Sequence, residues 1–446
     1  MGFLHRTAFW AAERARLRPT RRLVREMAAA EALSPDGLAA LQTARLREFC
    51  ARAARDVPWY RAVFAEAGLA AEDIRAPEDL LRLPLLDKAA IRRAGAALFH
   101  PDGGPFRVTE TGGSTGDPLR IHDSPLRQAV HLAARIRSRA WWGIPAGEPE
   151  LVLFGGAFDR SARGLLHRAK DALLGSITYP AFGMTEAHLD ELFARLRAMR
   201  PRHLFGYTSA LCAFARHVRA RTGRDDGGAG HGVEVVFTTS ELLLPADRAL
   251  LEETFGAAVA DGYGSKEGGF IAHQCPEGAY HARTDTHVLE VLQDGDPVPA
   301  GEPGELVVTF LGDWHWPFVR YRTGDSLALL EERCPCGLPL PLVRLAGGRV
   351  TDLLTRRDGA RVHGLGVIYP IRETPGVVRF QVHQRSLELV EVSLVVEDGY
   401  PADGDATIAR RIGETLGGLR VVVRHVERIE QAASGKYRVV RSDVGA

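Results

Sequence analysis

The sequence has few cysteines and no long apolar run, and these two absences exclude several classes of protein. Five cysteines in 446 residues are too few and too unevenly spaced for a disulfide scaffold. No apolar segment approaches the length needed to span a bilayer, and the early Arg6 is not followed by the uninterrupted apolar stretch of a secretory signal. We therefore predict a cytoplasmic protein without a membrane span.

The sequence also lacks an excess of charge of either sign. Its 57 basic and 56 acidic side chains give a net charge of +1, which argues against a dedicated nucleic-acid binder. Hydrophobic residues make up 45% and charged residues 25% of the chain, as is typical of a globular protein. A chain of 446 residues exceeds one ordinary domain, so we expect two or three.

Glycines and hydroxyl side chains are concentrated between residues 109 and 120, which read Thr-Glu-Thr-Gly-Gly-Ser-Thr-Gly-Asp-Pro-Leu-Arg. Glycines let the backbone approach a ligand closely, and successive N–H groups in such a turn can bind an anion. No Lys-Ser/Thr follows the last glycine, so this is not a Walker P-loop. The alternative is a polar surface loop. The candidate phosphate-binding residues are Thr111, Gly112, Gly113, Ser114, Thr115 and Gly116.

Strand-like and helical patterns alternate through the middle of the chain. This alternation predicts an α/β fold with helices on both faces of a sheet. A long amphipathic helix is predicted over residues 126–141. The predicted strands are 151–154, 203–205 and 233–237, and the predicted helices are 186–199, 211–221 and 246–255.

Both ends of the chain differ from the middle. Residues 1–50 are predicted to be helical, and seven arginines between Arg6 and Arg25 make this extension basic. A basic arm can contact a membrane, an acidic carrier domain or another subunit, but a solvated helix face is the favoured interpretation. The last hundred residues predict a small α+β domain, with strands at 377–383, 387–396 and 419–426 and a helix at 406–416.

Further polar segments lie in the second half. Tyr263 stands between two glycines and can present its ring as a stacking platform. Glu267 is a hard oxygen ligand suited to Mg²⁺. Asp325 follows a Thr-Gly turn, from which a carboxylate can accept both hydroxyls of a ribose. Lys436 follows Gly435 near the end of the chain, where it can reach a distant ligand. Taken singly, these are also compatible with surface turns and a solvated tail.

The order of these segments resembles the adenylate-forming superfamily of acyl-CoA synthetases, peptide-synthetase adenylation domains and luciferases. That order is Thr-Gly-Gly-Ser-Thr-Gly, Tyr-Gly-Ser-Lys-Glu, Arg-Tyr-Arg-Thr-Gly-Asp, and Gly-Arg with a terminal Gly-Lys. Within the superfamily, residues 40–440 are most similar to the phenylacetate-CoA ligase branch, including its relatives in capsular polysaccharide biosynthesis. The resemblance implies a large N-terminal domain (1–348) with mixed sheets and flanking helices. A small mobile α+β domain (349–446) would follow.

The resemblance also implies a reaction. A carboxylate would attack ATP to give acyl-AMP and pyrophosphate, and the acyl group would then pass to the thiol of CoA. The alternatives are transfer to an amine or to a carrier-protein thiol, and a non-catalytic relative that only binds nucleotide. The implied catalytic residues are Lys436, Glu267 (through Mg²⁺) and Thr111. The implied nucleotide-binding residues are the phosphate loop 112–116, Ser240, Glu241, Tyr263, Gly264, Ser265, Asp325 and Arg349.

A second constellation has the residue types of a metal site. Three of the five cysteines fall near one another with histidines, and one His with three Cys is a closed tetrahedral set for structural Zn²⁺. Some members of the resembled branch carry a similar group. Unrelated reduced thiols are the alternative. The predicted ligands are Cys275, His281, Cys334 and Cys336, with His273, His287 and His315 as competitors.

The substrate pocket is the least determined part of the sequence. Trp141, Tyr207 and Ser209 are the candidate lining residues, with Trp142 and Phe182 beside them, although aromatic residues at such places are more often in the core. The resemblance implies an aryl or other small organic acid as substrate. Oligomerisation is compatible with the sequence.

Overall fold

The structure is a computed structural model of the chain. It describes residues 2–104, 106–110, 119–155, 175–181, 184–223, 231–241, 243, 245–293, 295–345, 353–429 and 440–444. The chain divides into two compact units. The first comprises Met1–Thr109, Arg120–Gly147 and Ala260–Arg349, and the second comprises Glu110–Leu119, Glu148–Val259 and Val350–Ala446.

The helices of the described residues are numbered here in chain order. They are α1 (Gly2–Ala15), α2 (Thr20–Ala30), α3 (Pro35–Asp56), α4 (Pro58–Glu66), α5 (Lys88–Ala94), α6 (Pro125–Ala140), α7 (Glu186–Met199), α8 (Thr208–Thr222), α9 (Pro245–Phe255), α10 (Leu365–Arg372) and α11 (Gly404–Thr415).

The strands are numbered in the same way. They are β1 (Arg107–Glu110), β2 (Arg120–Asp123), β3 (Glu150–Leu153), β4 (Ser176–Tyr179), β5 (His203–Tyr207), β6 (Val235–Thr239), β7 (Ala258–Ser265), β8 (Gly269–Gln274), β9 (Tyr280–Ala282), β10 (His287–Gln293), β11 (Asp296–Pro297), β12 (Gly304–Phe310), β13 (Phe318–Leu330), β14 (Leu342–Leu345), β15 (Leu353–Thr355), β16 (Arg361–His363), β17 (Val377–Gln384), β18 (Leu389–Val396), β19 (Arg420–His425) and β20 (Val440–Ser442).

The first unit contains the N-terminal helices and an antiparallel sheet. The sheet order is β11-β10-β12-β13-β14-β9-β8-β7. One of its cores is formed by alternate residues of the central strands, including Ile271, Leu306, Val308 and Leu327, all of which are buried. Such alternation is expected where one face of an antiparallel sheet is covered. This sheet carries Tyr263 and Asp325 on β7 and β13.

Helix α6 begins and ends where its sequence predicts. Ser124 is the N-cap, and its Oγ accepts a hydrogen bond from the backbone N–H of Arg127 at 2.9 Å. Pro125 occupies the first helical position, where its missing N–H costs nothing. The helix packs Val130 and Ala133 against Met27 of α2 and Phe310 of β12. The capping geometry fixes Arg127 inside this unit.

The second unit contains parallel strands in the order β6-β5-β3-β4. Strands β3, β5 and β6 are buried along their whole length, as expected for parallel strands covered on both faces. Their core includes Leu153, Leu204, Phe214 and Val236. Helix α8 ends at Gly223, whose positive φ of 65° is the left-handed conformation of a C-terminal cap.

The C-terminal part of the second unit contains a four-stranded sheet in the order β19-β18-β17-β20, with the hairpin β15-β16. Helices α10 and α11 share its core, which includes Ile371, Val382, Val392 and Ile412. Gln384 is fully buried and joins two strands, because its side chain bonds both backbone groups of Thr355. The predicted α+β character of this region is thus observed.

The predicted mixed α/β fold is confirmed, and the element bounds move by only a few residues. Helix α8 begins at Thr208 instead of residue 211, because Glu241 caps its N-terminal backbone, as described below. The predicted domain boundary between residues 348 and 349 lies outside the described residues. Among the described helices, none is long and apolar enough to cross a membrane.

Candidate active site and metal cluster

The side chains of Tyr263 and Asp325 contact each other in the first unit. The Tyr263 hydroxyl donates a hydrogen bond to Asp325 Oδ2 at 2.7 Å. The backbone N–H of Asp325 donates to Thr323 Oγ1 at 3.1 Å, and Gly324 between them has a φ of 75°, which favours glycine. The residue predicted to stack on adenine and the residue predicted to bind ribose therefore lie side by side.

Glu267 lies in the turn between β7 and β8. Ser265 Oγ accepts a hydrogen bond from the N–H of Gly268 at 2.8 Å and closes this turn. The Glu267 residue is only 5% exposed, and its Oε1 accepts a hydrogen bond from the hydroxyl of Tyr321 at 3.1 Å. A single carboxylate of this kind, together with substrate phosphates and water, is the usual environment of Mg²⁺ in nucleotide sites.

Gly264 shows why this segment is rich in glycine. A Cβ at this position would lie 2.3 Å from the carbonyl oxygen of Gly269, and the register between β7 and β8 shifts at the same point. Only a residue without a side chain allows the two strands to approach so closely. The glycines therefore shape the turn that carries Glu267.

The two arginines before Asp325 form ion pairs within the protein. Arg320 is buried, and its Nη2 lies 2.8 Å from Glu290 Oε1. Arg322 is paired with Glu305, with Nη2 2.6 Å from Oε2. Arg320 also has a positive φ of 52°, which is strained for a residue with a side chain. Both arginines therefore fix the strand that carries Tyr321 and Asp325.

Lys88 is a candidate site residue that sequence reasoning missed. Its Nζ lies 4.0 Å from Glu267 Oε1, and its side chain is 18% exposed. Two backbone bonds between Leu86 and β13 hold the segment before it, from Leu86 N to Arg320 O and from Arg322 N to Leu86 O, each at 2.9 Å. No local pattern in the sequence around Lys88 reveals that this lysine lies close to Glu267.

In the second unit, Ser209 and Glu241 form one structural pair. The backbone N–H of Ser209 donates to Glu241 Oε2 at 2.6 Å, and its hydroxyl donates to Oε1 at 2.9 Å. Glu241 thereby caps the N-terminus of α8 from another segment. Burial raises the pKa of Glu241 to about 7 despite these two bonds. Its neighbour Ser240 has a strained φ of 67°.

The other candidate substrate residues that the structure describes, Tyr207, Trp141 and Trp142, lie in different surroundings. Tyr207 is buried, and its ring centroid lies 4.6 Å from that of Phe154. The Trp141 ring lies 5.8 Å from the ring of His281, beside the cysteine cluster. Trp142 donates its ring N–H to the carbonyl of Gln274 at 2.9 Å. The proposed substrate contacts of these residues stay predictions.

The structure brings the four predicted metal ligands together. The ligand atoms of Cys275, His281, Cys334 and Cys336 all lie within 4.8 Å of one another. The two closest pairs are Cys275 Sγ to Cys334 Sγ at 3.6 Å and Cys336 Sγ to His281 Nε2 at 3.2 Å. Three thiols and one imidazole at such distances form a closed donor set that could hold a metal ion.

Two turns of similar sequence present the cysteines. Cys275-Pro-Glu-Gly278 and Cys334-Pro-Cys-Gly337 each bring the glycine N–H onto the carbonyl of the first cysteine, at 2.8 and 3.3 Å. Gly278 and Gly337 have φ values of 79° and 81°. The repeated Cys-Pro-x-Gly pattern is visible in the sequence.

The imidazole of the cluster is oriented for metal binding. His281 Nδ1 lies 2.9 Å from the carbonyl oxygen of Leu340, so this nitrogen carries the proton and Nε2 is left as the ligand atom. Burial lowers the pKa of His281, which favours the neutral form that ligates metals. Burial also raises the pKa of Cys336 to about 12, so without a cation this thiol keeps its proton.

The competing histidines are engaged elsewhere. His273 Nδ1 lies 2.9 Å from the carbonyl oxygen of Gln274, and His315 Nδ1 lies 2.9 Å from Asp313 Oδ1. His287 lies beside Gly268 and is considered below. The four-residue set therefore agrees with the prediction. The phosphate loop (Thr111, Gly112, Gly113, Ser114, Thr115 and Gly116), Phe182, Arg349 and Lys436 lie outside the described residues.

The chain is similar to known proteins along most of its length. Residues 354–443 match the CapK C-terminal domain. A phenylacetate-coenzyme A ligase of Thermus thermophilus is 29% identical over 83% of this chain and 84% of that protein. The chain is therefore similar to the phenylacetate-coenzyme A ligases. Protein CapK of Staphylococcus aureus is 22% identical over 80% of this chain and 78% of that protein. The predicted resemblance is thus confirmed.

A solved structure shares the fold. It is a 2-hydroxyisobutyryl-CoA ligase in complex with 2-HIB-AMP and CoA. Its sequence is 21% identical to this chain. The match has a TM-score of 0.63 and covers 93% of this chain and 92% of the ligase. The predicted adenylate-forming fold is therefore confirmed.

Proposed function

We propose that this protein activates a small carboxylic acid with ATP and then transfers the acyl group to CoA. In the first half-reaction a carboxylate oxygen attacks the α-phosphorus, and the bond to pyrophosphate breaks. In the second half-reaction the CoA sulfur attacks the acyl carbon, its proton is released, and AMP leaves. The similarity to phenylacetate-coenzyme A ligases over four fifths of the chain supports this proposal.

One observation in the structure carries the proposal furthest. In the candidate active site, Glu267 accepts a hydrogen bond from the Tyr321 hydroxyl and Asp325 accepts one from the Tyr263 hydroxyl. In our proposal Asp325 accepts the ribose hydroxyls and the Tyr263 ring stacks on adenine. Glu267 would hold Mg²⁺, which would neutralise charge on the phosphates.

The chain's own residues then act mainly by positioning and by electrostatics. The loop Thr111–Gly116 donates N–H and hydroxyl groups to the β- and γ-phosphates. Lys436 supplies a cation to the attacking carboxylate and the α-phosphate, and Lys88 adds positive charge beside Glu267. Ser240 and Glu241 belong to the adenine pocket, and Arg349 lies at the hinge between domains.

We propose zinc as the ion of the cysteine cluster, in a structural role. Three thiols and one imidazole occupy all four positions of a tetrahedral ion, so no position remains for substrate. The buried thiols are stabilised as thiolates only when a cation is present. Zinc would therefore connect the two Cys-Pro-x-Gly turns without taking part in the reaction.

The test is an ATP–pyrophosphate exchange assay on the wild-type protein with a panel of aryl and short aliphatic acids. Labelled pyrophosphate should enter ATP only when a suitable acid is present. CoA, a carrier-protein thiol and simple amines are then compared as acceptors of the acyl group. A folded protein that binds neither ATP nor AMP at millimolar concentration would refute the enzyme proposal. Binding without exchange for any acid would favour a non-catalytic relative.

A further inference from the structure

Arg127 binds the backbone of the residue proposed to hold Mg²⁺. This side chain on α6 is fully buried, and its Nη1 donates a hydrogen bond to the carbonyl oxygen of Glu267 at 2.7 Å. Its Nη2 donates to the carbonyl oxygen of Trp316 at 3.2 Å, and its Nε donates to Asp313 Oδ2 at 3.1 Å. One planar guanidinium therefore ties the Glu267 turn to the segment before β13.

Asp313 holds Arg127 in this place. It is fully buried, and its Oδ1 accepts hydrogen bonds from Ser124 Oγ at 3.0 Å and from the backbone N–H of His315 at 3.2 Å. Burial acts to raise the pKa of Asp313, but the hydrogen bond from His315 and the charge of Arg127 outweigh it and lower the pKa. Asp313 is therefore ionised, and Arg127 has a fixed counter-charge.

His287 makes a second contact to the same turn. Its Nε2 is within hydrogen-bond distance of the carbonyl oxygen of Gly268, and its Nδ1 lies 3.0 Å from Thr286 Oγ1 and 3.1 Å from the carbonyl oxygen of Arg283. A proton on Nε2 donates to the Gly268 carbonyl and so ties β10 to the Glu267 turn. The next residue is also tightly packed, since a Cβ on Gly269 would lie 2.5 Å from His131 Nε2.

We propose that Arg127 and His287 are positioning residues that hold the Glu267–Gly269 backbone in the conformation in which Glu267 binds Mg²⁺·ATP. They bind two successive carbonyl oxygens from two different elements, α6 and β10, so together they fix both the position and the direction of the turn. A metal-binding carboxylate needs such support, because small displacements weaken it. The inference rests on the proposed function for the role of Glu267.

The first experiment compares Arg127→Lys with Arg283→Lys. Arg283 is equally buried in the same unit, where it pairs with Glu31 and Asp285. Lysine keeps the charge in both variants but loses the planar fork of donors. Amide hydrogen exchange of the peptide spanning residues 266–270 should become about tenfold faster in Arg127→Lys and stay near wild type in Arg283→Lys.

The second readout separates metal-dependent from metal-independent binding. In the pyrophosphate exchange assay, Arg127→Lys should raise the half-saturating Mg²⁺ concentration about five- to tenfold. Its affinity for AMP, which lacks the β- and γ-phosphates, should change less than about twofold. His287→Leu should behave like Arg127→Lys, whereas His287→Gln keeps an N–H donor and should restore most of the loss.

The outcomes distinguish this inference from the proposed function. If residues 266–270 exchange no faster in Arg127→Lys than in Arg283→Lys, the positioning role is wrong, whatever the activity. If the wild type shows no acid-dependent ATP–pyrophosphate exchange, the proposed function fails. Amide hydrogen exchange alone then still decides the positioning role. If Arg127→Lys does not fold, the pair His287→Leu and His287→Gln decides it, because equal behaviour of these two variants would contradict the inference.

Discussion

The first unit contains two polar clusters, the candidate active site and the cysteine cluster, and their side chains contact different kinds of group. In the candidate active site, the two acids accept hydrogen bonds from neutral tyrosine hydroxyls. In the cysteine cluster, the four candidate ligands face one another, and the closest contacts join a thiol to a thiol and a thiol to an imidazole. The acids of the first cluster already have hydrogen-bond donors from the protein, whereas the strong contacts of the second cluster would come from the proposed cation.

This difference separates the expected effects on activity and stability. An acid that is hydrogen-bonded to a tyrosine hydroxyl can exchange this partner for a ligand, so its loss should mainly affect the reaction. Buried thiols with raised pKa values gain most from an ion that deprotonates them, so their loss should mainly affect the fold. The predictions below test this division, from the largest expected effect to the smallest.

The largest effect is expected from Lys436→Ala. In our proposal Lys436 belongs to the active site, although it lies in the C-terminal region of the chain. Acyl-AMP formation should slow by about 10²–10³-fold, because a cation that stabilises the transition state is lost. Transfer from synthetic acyl-AMP to the acceptor should keep most of its rate, since we propose that the small domain (349–446) rotates between the half-reactions. Single-turnover kinetics of each half-reaction measures both.

A nearby control makes this prediction sharper. Arg441 is an exposed cation on β20, and Arg441→Ala should leave both half-reactions within about twofold of wild type. Equal loss of both half-reactions in Lys436→Ala would contradict domain rotation. No loss in either would mean that Lys436 is a solvated tail residue.

The next effect concerns the cysteine cluster. Protein purified without a His-tag should contain about one zinc per chain. Cys336→Ser should lose this zinc and about 3–5 kcal/mol of unfolding free energy, as expected when a structural metal is lost. Denaturant unfolding and metal analysis measure the two quantities. Cys212 is a buried cysteine outside the cluster, so Cys212→Ser should keep its zinc. A wild type that contains no metal and is equally stable would contradict this prediction.

The sequence predicted the residue types of both clusters but not their surroundings. Cys275, His281, Cys334 and Cys336 were recognised because few residue types bind zinc, and the repeated turns bring them together. Tyr263, Glu267 and Asp325 were recognised by their order in the chain. Lys88 and Arg127 were missed, since their contacts to Glu267 join segments more than a hundred residues apart, and local patterns contain no trace of such contacts.

The fold shows the same limit. Helices α6, α7 and α9 were predicted nearly to the residue, because caps and prolines mark their ends. The start of α8 was missed by three residues, since its cap is Glu241 from a distant segment. The order of the strands in the sheets was likewise not predictable, because it depends on pairings between strands far apart in the chain.

The smallest effect concerns Glu241, a buried acid of the second unit. Burial raises its folded-state pKa to about 7 from the ordinary value of 4.5, so the folded protein binds this proton more tightly than the unfolded chain. Its contribution to stability is complete below about pH 4.5 and is lost as the pH rises through about 7. Between pH 5 and 8, the wild type should lose about 1–3 kcal/mol more unfolding free energy than Glu241→Gln, whose amide cannot ionise. Urea unfolding at several pH values measures this free energy, and an equal pH dependence in the two proteins would contradict the prediction.

The most direct test of the account measures ATP–pyrophosphate exchange and melting temperature side by side for Glu267→Gln and Cys336→Ser. The account predicts that Glu267→Gln loses about 10²-fold or more of its exchange rate while its melting temperature stays close to wild type. Cys336→Ser should show the reverse, with a lowered melting temperature and nearly unchanged ATP affinity below that temperature. Parallel losses of activity and stability in both variants would contradict the division between a chemical site at Glu267 and a structural site at the cysteines.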